Sequence, residues 1–337
     1  MSKKIKNKKL DDILNQGVDV ELEGQTFKIA VKFDSAGNQD TLLLFLHGVG
    51  LNKDSFESFW FQKYKSDVTP NQQAMAVDLP GHGETLYKVG GGGYQKEVTD
   101  PKYLDLEYQA KLLYKMLERV YDLQKEFGQP GFEFINIVGH SMGGSIGVYL
   151  GKLITENKRF KLGKFINIEG NLIPPDCGFT KKIHEYLGGR DIKTLDTSSF
   201  YGGVLSNFYN DEHLNVIRGW QDYVKDSSAN VSAMNYIACS ESLWKLSHLE
   251  KNLTQQDNGQ LLQTLLKVKE QSRNTKFYYL HGSHQPMNDL IKARPWLKFI
   301  KTRLIKDAGH LVMATQPTPF YDELKDILGY GVKIKNK

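Results

Sequence analysis

Short apolar runs alternate along the chain with longer segments whose apolar residues recur at helical spacing, and that rhythm predicts the order of its elements. VDVELEGQTFKIAVKF, residues 18–33, alternates apolar and polar positions on either side of Glu23-Gly24 and reads as a hairpin of two opening strands. TLLLFLHG does not alternate; a continuous apolar run is the pattern of a third strand buried on both faces, here ending at His47-Gly48. A helix is expected from Lys53 to about Tyr64. QAMAVDLPGHGE then repeats the pattern, with a fourth buried strand to Asp78 and a turn rich in glycine and proline, and Gly90 to Gly93 fall in a long permissive loop.

Leu106, Leu112, Leu113, Met116, Val120 and Leu123 mark the apolar face of an amphipathic helix from Leu104 to about Phe127. FEFINIVGHSMGG gives a fifth strand, a sharp turn and a helix start. KFINIEG and KFYYLHG are a sixth and a seventh buried strand, KFIKTRLIKDAGH carries the last, and a closing helix runs from about Thr318 to Leu328. Strands alternating with helices predict an α/β fold with a mostly parallel central sheet flanked by helices.

One stretch breaks the rhythm. Between Asn171 and Thr275 the patterns are helical, as in SESLWKLSHLEKNL and GQLLQTLLKVKEQ, and the stretch is too long for a loop. It is therefore expected to fold as a helical cap. The predicted organisation is a basic N-terminal tail (1–17), a core domain (18–170 and 276–330), a cap insertion (171–275) and a basic C-terminal tail (331–337).

Composition narrows the classes. Hydrophobic residues make up 40% of 337, enough for a sizeable core. The formal charge is +5, but Lys3, Lys4, Lys6, Lys8, Lys9, Lys333, Lys335 and Lys337 are terminal, and without those eight, 36 basic residues face 39 acidic ones. The basic character belongs to the ends, so no nucleic-acid partner is expected. Two cysteines, Cys177 and Cys239, make neither a disulfide framework nor a metal site. No run approaches roughly 18 uncharged apolar residues and the N-terminus lacks the apolar stretch of a signal peptide, which predicts no membrane span and a cytoplasmic protein. Nothing in the sequence sets an oligomeric state.

Gly139-His140-Ser141-Met142-Gly143 fits G-x-S-x-G, with INIV before it and SIGVYLGKLI after it. Strand, turn and helix in that order put a serine on a tight, exposed elbow at a helix N-terminus, where developing negative charge is favoured. His47-Gly48, DLPGHGET, VGHSMGG and AGHLVMATQP follow one another in the order of the α/β-hydrolase superfamily, which the chain resembles over almost everything outside the cap. The resemblance implies Ser141 as nucleophile and an oxyanion hole made by the backbone N–H groups of Val49 and Met142. His47 is read as structural.

The same resemblance puts the base at His310, in the loop after the last strand. A neutral imidazole titrating near pH ~6.5 can take the serine proton and later return it to the leaving group. His82 and His140 belong to turns and His213 and His248 to the cap, while His281 and His284 lie near the expected acid. That acid normally follows the seventh strand in a pattern like G-x-x-D, but the loop here reads HGSHQPMND and Gln285 stands in its place. Some members of the superfamily, haloalkane dehalogenases among them, carry it after the sixth strand, where this chain has Glu169. A carboxylate ending a buried run is costly unless it is paired. Glu169 is the expected acid, with Asp289 as the alternative and Asp307 among the other carboxylates. Dehalogenases and epoxide hydrolases use a nucleophilic aspartate, so Ser141 argues against both chemistries.

Asn171, Trp220, Tyr223 and Trp244 are candidates to line a substrate pocket under the cap, and the glycine loop is read either as a mobile segment near the site or as only a permissive connection. No zinc-ligand cluster, phosphate loop or dinucleotide fingerprint calls for a cofactor or metal. The expected function is a cofactor-independent serine hydrolase acting on a small-molecule carboxylic ester or thioester. The alternatives are carbon–carbon bond hydrolysis of a diketone and a non-catalytic ligand-binding protein on the same fold.

Overall fold

A computed structural model describes residues 3–35, 40–57, 73–88, 90, 92–172, 178–194, 200, 231–247, 260–283 and 297–329. Its centre is a seven-stranded sheet. The strands are β3 (Val31–Asp34), β4 (Thr41–Leu46), β5 (Gln73–Val77), β8 (Phe134–His140), β9 (Lys161–Ile168), β10 (Lys276–Gly282) and β11 (Ile300–Ile305), in the spatial order β11-β10-β9-β8-β4-β5-β3. All neighbours pair in parallel except β3 with β5. The fold class read from the sequence is the one observed.

The apolar runs are continuous because both faces are covered. Leu42, Leu44, Leu46, Ile135, Ile137, Phe165, Phe277 and Tyr279 belong to one buried cluster. The intervening Leu43, Phe45, Val138, Ile166, Ile168, Tyr278 and Leu280 belong to another, closed by Phe56, Phe320, Tyr321 and Leu324. Alternate residues of one strand thus point into opposite layers. β4 leads to β5 in one direction across the sheet while β8 leads to β9, β10 and β11 in the other. The chain reverses between β4 and β8, and at such a switch point the carboxyl ends of open α/β sheets leave a crevice.

Several expectations are revised. Residues 18–33 make three strands: β1 (Val18–Leu22) and β2 (Gln25–Ile29) form the hairpin, and β3 continues into the main sheet. Glu23 and Gly24 both have positive φ, 53° and 74°, as a two-residue hairpin turn twisted to match its strands requires. β6 (Leu86–Lys88) and β7 (Tyr94–Gln95) flank the glycine run and extend this hairpin into a separate four-stranded sheet. The helix expected from Lys53 to about Tyr64 opens with a 3₁₀ turn, Lys53–Phe56, capped by the Asn52 side chain, and Glu57 is helical; its remainder, in residues 58–72, lies outside the described residues.

The basic N-terminal segment is not a plain tail. Lys3–Leu14 is a helix, α1, with Leu10 and Leu14 fully buried against the main core, and Asn15 exchanges two hydrogen bonds with the Phe33 backbone. The long helix α2 (Leu106–Glu126) starts where expected, at an Asp105 cap. α3 (Met142–Asn157) follows β8 and packs on α2.

Within the region expected as a cap, α4 (Gly178–Leu187) packs on α5 (Ala233–Ser247). α6 (Gln260–Gln271) packs instead along α3, with Val268 beside Gly151, as a layer helix of the sheet. The α/β layers therefore begin before Thr275. α7 (Val312–Thr315) and α8 (Pro317–Leu328) close the chain. Residues 331–337 lie outside the described residues, and among those described no helix is long and apolar enough to cross a membrane.

Candidate active site

Ser141 stands between the last residue of β8 and the first of α3, with φ 51° and ψ −121°. A side-chain-bearing residue held there is strained by about 1–3 kcal/mol and persists only where its surroundings impose it. They do: the Ser141 N–H donates to Ile168 O at 2.9 Å and its C=O accepts from the Gly144 N–H at 2.9 Å. A Cβ on Gly143 would lie 2.2 Å from Leu46 O, so only glycine lets α3 start this close to β4.

The loop after β4 lies directly over this elbow. A Cβ on Gly48 would meet Ser141 Cβ at 3.0 Å and His140 Nδ1 at 2.9 Å. Val49 and Met142 are both buried, and Met142, as the first residue of α3, has no intrahelical acceptor for its N–H. His47 ties the loop down: its Nε2 accepts from the Leu79 N–H at 3.0 Å while its Nδ1–H donates to Gly48 O at 2.7 Å. Accepting at Nε2 requires the neutral ring, and burial, with His82 close by, holds its pKa well below the ordinary imidazole value. The turn after β5 is built around Asp78, a fully buried carboxylate that accepts from the Lys53 and Glu84 N–H groups and pairs with Lys53 Nζ at 3.3 Å.

His82 in that turn donates Nδ1–H to Pro80 O, and burial pushes its imidazole down to about 4. The unfolded chain therefore binds this proton more readily, so His82 costs stability as pH falls from about 6.5 through about 4. The expected loss is on the order of 3 kcal/mol over that window. Asp11, raised by burial to about 6, titrates with the opposite sign, so the comparison should be with His82→Asn, which keeps a donor for Pro80 and cannot titrate. Urea unfolding at about pH 7 and about pH 4.5 should show the wild type losing ground to the variant at the lower pH. A constant difference between the two would refute the assignment.

Glu169 directly follows β9, with φ 51° and only 3% exposed. Its N–H donates to Leu280 O at 3.0 Å and its Oε1 accepts from the Gly282 N–H at the end of β10. Its Oε2 lies 3.7 Å from Nδ1 of His310, which follows β11 and precedes α7. That separation is longer than a hydrogen bond, and among the described residues Oε2 accepts none. Such spacing is common before substrate arrives. Ser141, Glu169 and His310 thus stand after β8, β9 and β11 at one end of the sheet.

The remaining sites divide. Asp289, Gln285, His284, His213, His248, Trp220, Tyr223 and Cys177 lie outside the described residues. Asp307 is exposed on the turn after β11, with its N–H bonded to Ser283 Oγ. His281 is buried in β10 and bonded to Gly282 O. Asn171 is buried, and its C=O accepts from Ser145 Oγ, holding the chain beyond Glu169 against α3. Trp244 stacks on His184 between α5 and α4 at 5.3 Å, and His184 in turn pairs with Glu241.

Two contacts were not readable from spacing. Tyr236 of α5 covers the loop after β4: a Cβ on Gly50, at φ 76°, would lie 2.6 Å from its ring. Asn235 donates to Gly81 O at 3.3 Å, so one turn of α5 touches both the loop after β4 and the turn after β5.

A family model described as the alpha/beta hydrolase family matches residues 43–323. The chain belongs to that family. Among curated proteins, this alpha/beta hydrolase is similar to protein phosphatase methylesterase 1 of Homo sapiens, 31% identical over 133 residues. That match spans 39% of this chain and 28% of the relative. Among solved structures, a bromoperoxidase from Bacillus anthracis is similar at TM-score 0.60 and 16% identity, covering 93% of this chain and 99% of that one. MenH from S. aureus is similar at TM-score 0.57 and 19% identity, over 89% and 97%. At such identities the structural likeness speaks for the fold alone.

Proposed function

We propose that the chain is a cofactor-independent serine hydrolase that cleaves a carboxylic ester or thioester of a small molecule through an acyl-enzyme. The observation that carries this reading is the approach of His310 Nδ1 to the buried Glu169 carboxylate at 3.7 Å, beside the strained Ser141 elbow. In the first half-reaction Ser141 Oγ attacks the carbonyl carbon while His310 takes its proton. The resulting oxyanion is held by the N–H groups of Val49 and Met142, each worth roughly 3–4 kcal/mol. His310 then protonates the departing alcohol or thiol. In the second half, water attacks the acyl-enzyme by the same route and Ser141 is regenerated. Glu169 fixes the His310 tautomer and stabilises the imidazolium.

The name of the methylesterase relatives supports including a carboxylic methyl ester among the substrates to try. We read α4 and α5 as part of a cap over this site, and the protein as cytoplasmic. The test is a panel of nitrophenyl esters of increasing acyl length, with fluorophosphonate labelling of Ser141. Hydrolysis with a defined chain-length preference and labelling at Ser141 are expected. A wild type that does neither overturns the reading in favour of a binding protein. Labelling without ester turnover, together with hydrolysis of a diketone, would overturn the choice of bond.

A further inference from the structure

His140 precedes the nucleophile, and neither the triad nor the oxyanion hole uses it. Its ring is fully buried, with its centroid 4.8 Å from that of His310. Its Nε2 lies 2.8 Å from the His310 carbonyl oxygen. A carbonyl only accepts, so Nε2 carries the hydrogen and donates it. Nδ1 faces Gly48, where a Cβ would come within 2.9 Å, and accepts no hydrogen bond among the described residues. The polar tie described for this ring therefore runs to the backbone of the proposed base.

The loop carrying that base is otherwise fastened from the acid's side. The Ser283 N–H donates to Ala308 O at 3.2 Å, and a Cβ on Gly282 would lie 2.1 Å from the same oxygen. Gly282 also donates its N–H to Glu169, so β10 holds both the acid and the base loop. From the nucleophile's side the described tie is His140. Contacts then pass from Glu169 through Gly282 to Ala308 and His310, and back through His140 to Ser141.

We infer that His140 is a positioning residue for the proposed serine-hydrolase reaction, holding the His310 backbone at a fixed distance from Ser141 through the Nε2–H bond. The inference rests on the reading above. A positioning group here must also stay uncharged, because a second cation beside His310 would oppose the imidazolium that forms when Ser141 loses its proton. Burial supplies that condition by holding the His140 pKa well below the ordinary value.

The test compares His140→Gln with His140→Asn in otherwise wild-type protein. A glutamine carboxamide reaches the place of Nε2 and can donate to the His310 carbonyl, whereas an asparagine carboxamide stops near the place of Nδ1. His140→Asn should lose about 10²-fold in kcat on the best nitrophenyl ester with KM nearly unchanged, the scale of a small misplacement of a reacting group. His140→Gln should recover most of that loss, and fluorophosphonate labelling of Ser141 should slow and recover in parallel. Circular dichroism and the thermal midpoint establish that both variants are folded. Wild-type kcat in the asparagine variant, a glutamine variant equally slow, or a loss confined to KM would each overturn the role of His140. A wild type that neither turns over nor labels would instead overturn the hydrolase reading itself.

Discussion

Ser141→Ala should lower turnover of an activated ester by about 10⁶-fold, the loss expected when one member of a catalytic unit is removed. Any residual rate of about 10³–10⁴ over water would come from the oxyanion donors and from binding. The fold should survive, because the hydroxyl makes no capping bond to α3 and Ser141 holds its place through backbone bonds to Ile168 and Gly144. Alanine carries the same Cβ into the same backbone conformation, so the thermal midpoint should move little. Steady-state kinetics and a melting curve on the two proteins make the check. Near-normal turnover in the variant would move the nucleophile elsewhere and leave the strain at Ser141 without a chemical purpose.

The expectation of a chemical purpose at Ser141 was legible in the sequence because the constraints that produce it are local. Glycines at 139 and 143 are required by approaches of 2.5 Å or less between a hypothetical Cβ and neighbouring backbone, and the buried strand before them leaves no other place for the serine. The strands of the main sheet were legible for a related reason. A strand covered on both faces must be apolar throughout, and TLLLFL and QAMAV are buried almost without exception.

What escaped the sequence depended on partners far along the chain. Leu10 and Leu14 sit among five nearby lysines, so charge hid the buried face of α1. α6 shows clear amphipathic spacing, but spacing says only that a helix has an apolar face, not that this face lies on α3 instead of a cap. Tyr236 on Gly50 and His140 on His310 are contacts across long separations, and neither residue type announces its partner. Glu169 is the instructive intermediate. A carboxylate at the end of FINI violates the pattern of a buried strand, and that violation marked the position before its partners were known.

Glu169→Gln should cost about 10⁴-fold in kcat, by analogy with removing the charge of a triad acid without removing its shape. Glutamine keeps an oxygen able to accept from the Gly282 N–H, so the end of β9 should stay in place. Its amide nitrogen, however, then faces His310 Nδ1 as a donor. The imidazole would answer by accepting at Nδ1 and carrying its hydrogen on Nε2, and in that tautomer it cannot take the Ser141 proton. The variant should therefore bind substrate with nearly unchanged KM and fold normally while turning over slowly. Asp289→Asn serves as the counter-experiment, because Asp289 is the alternative acid. If Glu169 is the acid, the Asp289 variant keeps most of its activity; the reverse pattern would assign the charge to Asp289 and leave Glu169 as a buried strut between β9 and β10.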